Sequence, residues 1–467
     1  MMLCSGVEHR QVIMLTIGVM NNLLSFLEKI RGHAPLVCID GESGCHTYLD
    51  LLKQFDQWRL RLDQLEVQPG KVVGVRADYS IYSIAVLLAL FARGAVVALV
   101  PRDGDTERYL VDAHATAFLD LLLNGEYEWR SEIHPTEHPL LKNLRAAGDG
   151  GLVIFTSGST GCPKAALHSV ERFLHKFSKP CRRFRTLAFL VLDHIAGLDT
   201  AFYTLSGAGA LVVTRRRDPE SILDLVETYK VEVLPTSPSF LRMLCATSGV
   251  RDRDLASLKI VTYGSEIMDP TTLARLQSRL PRVEISQKYG STETGSPRSV
   301  SRTDDSLWIK FKAAEVETKI VDGILWMRSQ STILGYLNAK SPLDEEGWFC
   351  TNDLVDIDGE WMRFRGRVTD LINVGGEKVA PAEVEQVIME LEFVREVAIA
   401  GEPHPLVGQV VAARIALRNE SLDEKEARLL IRAHCRSRLA PHKVPAKIEI
   451  TTEIGVNVRQ KIQRMRS

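Results

Sequence analysis

The sequence lacks any grouping of cysteine or histidine that would hold a structural metal ion. Its eight cysteines are scattered over 467 residues, with no Cys-x-x-Cys pair and no cysteine–histidine cluster at zinc spacing. This pattern excludes a disulfide-rich scaffold and a zinc-binding module. We expect reduced thiols and a cytoplasmic location.

The sequence also lacks an excess of either charge. Lysine and arginine together number 58, against 59 aspartate and glutamate residues, so the formal net charge is −1. No global field favours nucleic acid or an anionic membrane surface. We therefore expect no nucleic-acid partner, and recognition must depend on local groups.

A long uninterrupted apolar run is absent as well. The stretch Val12–Leu27 is interrupted by Asn21 and Asn22 and is shorter than the ~20 residues that a membrane-spanning helix needs. We expect a helix packed on the core and no membrane span. The chain has no internal repeat, and its length is too great for one ordinary core, which predicts two or more domains.

Apolar runs alternate with helical patterns from about residue 36 to 265, which predicts parallel sheets with helices on both faces. The runs are Val72–Val75, Ala95–Val100, Leu187–Val191, Ala210–Val213 and Lys259–Val261, and helical spacing covers Ile84–Phe91 and Ser221–Tyr229. Near residue 300 the pattern changes to short charged strands separated by turns. This change predicts a small β subdomain, and strands and helices resume after residue 366.

One loop carries the residues that a polyphosphate site needs. The apolar run Leu152–Phe155 predicts a buried strand, and the segment that follows is rich in hydroxyls and glycine and ends in Lys164. Backbone N–H groups of such a turn form a concave nest for phosphate, and glycines let the phosphate approach closely. The spacing is not that of a Walker P-loop. A solvated Ser/Gly surface loop is the alternative.

Further motifs follow this loop in a fixed order. They are Tyr263-Gly264-Ser265-Glu266, Tyr289-Gly290-Ser291-Thr292-Glu293, Thr351-Asn352-Asp353, the stretch from Gly366 to Val379 with Gly375-Gly376, and Gln460-Lys461 near the end. Together with the loop they resemble the adenylate-forming superfamily of acyl- and aryl-CoA ligases, amino-acid adenylation domains and luciferases. The resemblance covers nearly the whole chain.

The resemblance implies that many of these residues bind ATP, Mg²⁺ and a thiol cofactor. Asp353 would accept hydrogen bonds from the ribose hydroxyls, and Arg367 would hold ribose or phosphate. The Gly375-Gly376 turn would line the pantetheine tunnel. The complete cofactor-binding set is Thr156, Ser157, Gly158, Ser159, Thr160, Gly161, Lys164, Gly264, Ser265, Glu266, Tyr289, Gly290, Ser291, Asp353, Arg367, Gly375 and Gly376.

The same resemblance implies four catalytic residues. Thr292 would contact phosphate, Glu293 would be the magnesium ligand, and Lys461 would bridge the substrate carboxylate and the α-phosphate. His194, in His194-Ile195-Ala196-Gly197, would gate thiol access or contact the acyl group, although a packed structural histidine is an equal alternative.

The acid pocket is expected beside His194. Gly207, Gly209 and Gly290 would leave volume for the acid, and Leu198, Leu234 and Met268 would supply apolar lining, which favours an aromatic or medium-length acyl acid. Asp193 raises the alternative of an amino-group partner, but we give a structural hydrogen bond more weight. The basic run Arg215–Arg217 is expected to be a solvated loop rather than a dock for the CoA 3′-phosphate or a carrier protein.

The resulting prediction is a two-domain α/β enzyme. Residues 1–366 would form a large N-terminal domain of parallel α/β sheets with a small β subdomain, and residues 367–467 a small mobile α+β domain joined by a hinge. The enzyme would activate a small carboxylic acid with ATP through an acyl adenylate, releasing pyrophosphate, and then form a thioester with CoA or a pantetheinylated acyl carrier protein.

Two alternatives remain open from the sequence. One is a free-standing amino-acid adenylating enzyme. The other is a nucleotide-binding homologue without turnover, which is motivated by Asn352 and Gln460 at positions where the superfamily carries glycine and by Thr369 at the hinge.

Overall fold

The computed structural model describes residues 20–42, 44–131, 137–156, 162–247, 249–251, 253–303, 306–312, 316–418, 422–452 and 454. Residues 157–161 and 455–467 lie outside these ranges. The expectations for Ser157, Gly158, Ser159, Thr160, Gly161, Gln460 and Lys461 therefore concern residues outside the described part of the chain.

The two segments with helical spacing, Ile84–Phe91 and Ser221–Tyr229, both lie within helices of the structure. The helices are α1 (Asn21–Gly32), α2 (Tyr48–Gln64), α3 (Ile81–Ala92), α4 (Thr106–Asp112), α5 (Pro139–Ala146), α6 (Val170–Leu174), α7 (Ile195–Ser206), α8 (Pro219–Tyr229), α9 (Pro238–Ala246), α10 (Pro270–Arg279), α11 (Pro381–Met389) and α12 (Glu424–Arg438). Short 3-10 turns cover His175–Ser178, Gly249–Arg251, Val368–Asp370 and Pro441–Lys443. The helix expected within Val12–Leu27 corresponds to α1, which begins at Asn21. Residues 12–19 of the expected segment lie outside the described residues.

Proline and capping side chains fix where several helices begin. Helices α5, α8, α9, α10 and α11 each begin with proline, whose missing N–H is not needed in the first turn. The side chains of Asp218, Ser237 and Asp269 accept backbone N–H groups at the starts of α8, α9 and α10. The loops that precede these helices, where the strands end, are thereby held in place.

In the part of the chain that the structure describes, the strands form four sheets. In chain order they are β1 (Val37–Gly41), β2 (His46–Thr47), β3 (Val72–Arg76), β4 (Val96–Leu99), β5 (Ala117–Leu121), β6 (Tyr127–Arg130), β7 (Gly151–Thr156), β8 (Lys164–Ser169), β9 (Arg185–Leu187), β10 (Ala210–Val213), β11 (Val233–Thr236), β12 (Ile260–Tyr263), β13 (Glu284–Gln287), β14 (Ser299–Ser301), β15 (Trp308–Phe311), β16 (Val316–Val321), β17 (Ile324–Ser329), β18 (Gly335–Tyr336), β19 (Phe349–Asp358), β20 (Trp361–Arg367), β21 (Ile372–Val374), β22 (Glu377–Val379), β23 (Val394–His404), β24 (Gly408–Leu417) and β25 (Lys447–Thr451).

Two of the sheets have the predicted parallel character. One has the order β13-β12-β11-β9-β10-β1-β2, and the other has the order β18-β8-β7-β4-β3-β5-β6. Antiparallel pairs occur at β1–β2 in the first sheet and at β5–β6, β7–β8 and β8–β18 in the second. Helix α3, which is apolar on every face, is buried over nearly its whole length in the largest apolar core.

The expected β subdomain is an antiparallel sheet with the order β14-β15-β20-β19-β17-β16. Beyond Arg367 and the 3-10 turn Val368–Asp370, the remaining strands form a separate sheet with the order β22-β21-β24-β23, in which β25 pairs with β24. Helices α11 and α12 contribute apolar residues to the core of this last sheet. The predicted fold class is thus confirmed.

Candidate active site

The loop that the sequence predicts to bind phosphate, called the phosphate loop below, connects two paired strands. β7 ends at Thr156 and β8 begins at Lys164, and these two residues are opposite each other in an antiparallel pair. The side chain of Asn338 holds the end of the loop, because its Oδ1 accepts from Ala165 N at 2.9 Å and its Nδ2 donates to Pro163 O at 2.9 Å. Both ends of the loop are therefore fixed by hydrogen bonds.

Lys164 belongs to a group that we call the Glu293 cluster, consisting of Lys164, Glu293 and Tyr336. The Tyr336 hydroxyl donates to Glu293 Oε1 at 2.6 Å, and Lys164 Nζ lies 5.1 Å from the centroid of the Tyr336 ring. Burial, followed by the Glu293 carboxylate, raises the pKa of Tyr336, so the hydroxyl remains a donor. The cluster combines a cation and a carboxylate at the foot of the loop.

Strand β18 brings the Glu293 cluster together. It pairs with β8 so that Tyr336 is opposite Ala166, two residues beyond Lys164 and on the same face. Just before β18, Ile333 N donates to the backbone oxygen of Glu293 at 2.9 Å. Both the main chain and the side chain of Glu293 are therefore held by residues 333–336.

A second group, the Asp353 cluster, consists of Tyr289, Asp353 and Arg367. The Tyr289 hydroxyl donates to Asp353 Oδ2 at 2.5 Å, and Arg367 Nε donates to Asp353 Oδ1 at 2.8 Å. Asp353 and Arg367 are paired across β19 and β20, and the Tyr289 ring stacks on Phe364 with centroids 4.4 Å apart. A carboxylate has about four acceptor positions, so two remain for a vicinal diol.

The electrostatics of the Asp353 cluster favour the charged form of Arg367. Burial alone would lower the pKa of Arg367, but the Asp353 carboxylate outweighs it and the pKa is raised. Burial and then the Asp353 charge raise the pKa of Tyr289. The side chain of Asp353 is 10% exposed and that of Arg367 is 54% exposed, so one side of the pair is open to a ligand.

The backbone conformation at position 352 explains why asparagine can replace the glycine that the superfamily carries there. The φ of Asn352 is +59°, in the left-handed region that glycine adopts freely and asparagine adopts more readily than most other residues. The departure therefore preserves the backbone conformation that positions Asp353.

Gly264 and Gly290 are required by close backbone contacts. A Cβ on Gly264 would lie 2.7 Å from the Lys288 carbonyl oxygen, and one on Gly290 would lie 2.6 Å from the Gly295 carbonyl oxygen. The expectation that Gly207, Gly209 and Gly290 leave pocket volume is wrong, because backbone atoms of other segments occupy the space at all three positions. Leu198, Leu234 and Met268 are fully buried in the apolar cores.

Several of the other expected site residues form hydrogen bonds with neighbouring groups of the protein. Glu266 accepts from Ser239 N at 3.0 Å and from Ser239 Oγ at 2.6 Å, in the first turn of α9, and Ser265 has φ +70°. Ser291 Oγ accepts from Thr294 N at 3.2 Å, and Thr292 is buried in the same turn.

His194 and the two glycines Gly375 and Gly376 lie outside both clusters. His194 caps α7, where its Nδ1 accepts from Ala196 N at 3.3 Å. Gly375 N donates to Val407 O at 2.8 Å, and Gly376 N donates to Asn373 Oδ1 at 3.1 Å, both within the last sheet.

The basic run is engaged by neighbouring groups. Arg216 pairs with Glu42, and Arg217 Nε donates to Phe189 O at 2.8 Å.

Sequence reasoning missed the parts played by Tyr336 and Asn338. No local pattern indicates the part played by Tyr336, because its hydrogen bond to Glu293 spans 43 residues and depends on the pairing of β18 with β8. Within the described part of the chain, no three His, Cys, Asp or Glu side chains form a metal site on their own, and no helix is long and apolar enough to cross a membrane.

Comparison with known proteins yields matches along most of the chain. The family model described as AMP-binding enzyme matches residues 27–337, and the model of the AMP-binding enzyme C-terminal domain matches residues 383–457. The 2-succinylbenzoate–CoA ligase of Listeria monocytogenes is 30% identical over 70% of this chain and 72% of its own length. A probable CoA ligase of Humulus lupulus is 25% identical over 95% of this chain and 91% of its own.

Solved structures confirm the fold. The amide bond synthetase McbA from Marinactinospora thermotolerans superposes with a TM-score of 0.77 at 23% identity, covering 94% of this chain and 97% of the other.

Proposed function

We propose a function for this chain from the premise that it belongs to the AMP-binding enzymes, the family whose model matches residues 27–337. It is an AMP-forming ligase that activates a small carboxylic acid with ATP and transfers the acyl group to the thiol of CoA. The two sequence relatives named above, from Listeria monocytogenes and Humulus lupulus, are CoA ligases, which supports CoA over a carrier protein as the acceptor.

The observation that carries the proposal is the pair of clusters, of which the Glu293 cluster includes Lys164 at the end of the phosphate loop. Asp353 has acceptor positions left for the two ribose hydroxyls, and Arg367, being half exposed, would hold ribose or phosphate. Lys164 supplies a point charge at the foot of the loop, next to Glu293. We propose that the Asp353 cluster holds the sugar of the nucleotide and that Lys164 and Glu293 act at its phosphates.

Mg²⁺ fits the Glu293 cluster. This ion is usually bound by one or two carboxylates together with substrate phosphates and waters rather than by a cage of protein ligands. Glu293 has one oxygen engaged by Tyr336, and no described residue forms a hydrogen bond with the other. When bound, Mg²⁺ would neutralise charge on the phosphates, and the part of Tyr336 is to hold the carboxylate in position.

The reaction has two steps. In the first, a carboxylate oxygen of the acid attacks the α-phosphorus of ATP, the bond to the β-phosphate oxygen breaks, and pyrophosphate leaves. In the second, the CoA sulfur attacks the acyl carbon, AMP leaves, and the thiol proton passes to solvent. The protein contributes mainly positioning and charge stabilisation by Lys164 and, by resemblance, Lys461.

Domain rotation would separate the two steps. We propose residues 1–366 and 367–467 as the two domains and the 3-10 turn Val368–Asp370 as the hinge between them. Rotation about this turn would bring the Gly375-Gly376 turn, which is exposed on the last sheet, toward the thiol.

The direct test is carboxylate-dependent exchange of labelled pyrophosphate into ATP, screened over aryl, fatty and amino acids. Asp353→Asn should raise the KM for ATP by about 10-fold or more, because a charged acceptor is lost. Asp358→Asn is the matched control, since Asp358 lies on the same strand but pairs with Arg302 at the surface. Wild-type KM in Asp353→Asn would contradict the ribose assignment, and no exchange with any acid would contradict the function.

The acceptor is tested in a second round with the best acid. Thioester formation with free CoA supports the proposal, whereas thioester formation only with a pantetheinylated carrier protein contradicts CoA as the acceptor. Exchange with amino acids alone would identify an amino-acid adenylating enzyme instead.

A further inference from the structure

An open cavity of about 570 Å³ lies at the end of the first sheet that is opposite to the proposed nucleotide site. Its lining comes from the segments that lead into β1, β9, β10, β11 and β12, which are neighbouring parallel strands. Gly264, by contrast, directly follows the last residue of β12. Lys259 lines the cavity and is five residues before Gly264, which in an extended strand is about 16 Å. The cavity is therefore separate from the nucleotide site.

Helix α7 separates the cavity from the expected acid pocket. Ala208, which lines the cavity, comes just after the C-terminal end of α7, whereas His194 caps the N-terminal end. This helix has 12 residues and is therefore about 18 Å long. A ligand in the cavity does not occupy the acid pocket.

The cavity lining carries a positive charge without a counter-charge. Four cationic side chains line the cavity, and three of them have carboxylate partners. The three pairs, with their nitrogen–oxygen distances, are Arg185–Asp40 at 2.6 Å, Lys230–Asp254 at 3.0 Å and Lys259–Glu232 at 2.5 Å. The fourth cation is Arg183, whose side chain has neither an ion pair nor a hydrogen bond among the described residues. One negative charge on a ligand would balance it.

The rest of the lining is largely apolar and lies to one side of Arg183. Arg183 comes two residues before β9, which stands between β11 and β10 in the sheet. The two lysines precede β11 and β12, whereas the apolar lining residues lie at the starts of β9, β10 and β1; they are Pro35, Leu36, Val37, Phe184, Ala208 and Ala210. A ligand whose anionic group meets Arg183 can therefore place an apolar body beneath β10 and β1.

We infer that this cavity is a second ligand site, which binds an organic monoanion with an apolar body and is distinct from the sites for ATP and the acid. A guanidinium without a partner is a strong donor to a carboxylate, phosphate or sulfonate group, because two of its N–H groups bind two oxygens at once. The apolar wall removes the body of the ligand from water. Small-molecule sites have volumes of about 300–1,000 Å³, and this cavity falls in that range.

Calorimetric titration with 2-naphthalenesulfonate tests the site. This monoanion has an apolar ring system and no carboxylate that could be adenylated, and saturating ATP keeps the nucleotide site occupied during the titration. The wild type should bind one molecule per chain. Arg183→Gln should bind it about 10- to 100-fold more weakly, the effect of one hydrogen bond to a charged group. Leu36→Asp places a negative charge in the apolar wall and should weaken binding as well.

The controls separate charge, apolar contact and folding. Arg182→Gln removes the same charge from the neighbouring residue, which is exposed but does not line the cavity, and should leave the affinity unchanged. Arg183 is exposed too, so its replacement should leave the melting temperature near that of the wild type. 2-Naphthol supplies the rings without the charge and inorganic sulfate supplies charge without the rings, so both should bind more weakly than 2-naphthalenesulfonate.

Four outcomes would overturn the inference. They are no binding of 2-naphthalenesulfonate to the wild type, equal affinity in Arg183→Gln, binding that is seen only when ATP is left out, and equal affinity for 2-naphthol or sulfate. Because calorimetry does not depend on turnover, these results are distinguishable from a failure of the function proposed above.

Discussion

Tyr336→Phe removes a single O–H group from the Glu293 cluster and leaves the ring next to Lys164 in place. The hydrogen bond that is lost is 2.6 Å long and ends on a carboxylate, and Tyr336 is only 5% exposed, so water cannot readily replace the donor. Hydrogen bonds to charged groups contribute about 1.5–3 kcal/mol. We expect the Glu293 carboxylate to adopt several orientations once this hydrogen bond is lost.

The functional consequence is weaker binding of the metal–nucleotide complex. Loss of a group that orients a metal ligand typically reduces metal affinity by about 10- to 100-fold. We therefore expect the Mg²⁺ concentration for half-maximal pyrophosphate exchange to rise by about 10-fold, with the KM of the acid unchanged. Binding of Mn²⁺ to the enzyme–ATP complex, followed by electron paramagnetic resonance, measures the same effect without turnover.

Two variants complete the design. Tyr336→Leu also removes the aromatic ring and should cost a further ~0.5–1 kcal/mol in the placement of Lys164. Tyr229→Phe, on α8 away from both clusters, is the matched control. If Tyr336→Phe binds Mn²⁺ and ATP as the wild type does, the hydroxyl does not position Glu293 and the reasoning fails.

Three further predictions concern backbone conformation and pH. Asn352→Gly should change the free energy of unfolding by less than about 1 kcal/mol, whereas Asn352→Val should lower it by about 1–2 kcal/mol, because φ is +59°; urea titration distinguishes them. Gly264→Ala should raise the KM for ATP and lower the melting temperature, since its Cβ would press on the Lys288 carbonyl. Burial lowers the pKa of His168 from about 6.5 to about 4. Between these two pH values the unfolded chain binds a proton at His168 and the folded chain does not. The free energy of unfolding should therefore fall by about 3 kcal/mol as the pH drops from about 6.5 to about 4. His168→Gln should flatten this dependence, and an unchanged slope would contradict it.

Much of the fold could be predicted because local patterns carry it. The strand before the phosphate loop, strand β10 and helix α8 occur where apolar spacing places them. The hydroxyl, glycine and lysine composition of the loop and the ordered motifs behind it were sufficient to identify the superfamily, which the comparisons confirm.

The contacts within the site could not be predicted, because they depend on how distant strands align. Tyr289 and Asp353 are 64 residues apart, and only the packing of the β subdomain brings the hydroxyl to the carboxylate. The glycines of the expected acid pocket were misread for a related reason. A sequence shows that a Cβ is missing but not which neighbour occupies its place, and at Gly209 that neighbour is the Phe184 carbonyl.

The segment that ends in the two-residue strand β18 sets the spacing between two groups that hold Glu293. The N–H of Ile333 fixes the main chain of Glu293, and three residues later the Tyr336 hydroxyl meets its carboxylate. Because successive side chains in a strand face opposite ways, one inserted residue between them would turn the phenol away. The number of residues from Ile333 to Tyr336 is therefore fixed, whereas the side chains between them can change. A relative with an insertion in this segment must supply another donor for the glutamate.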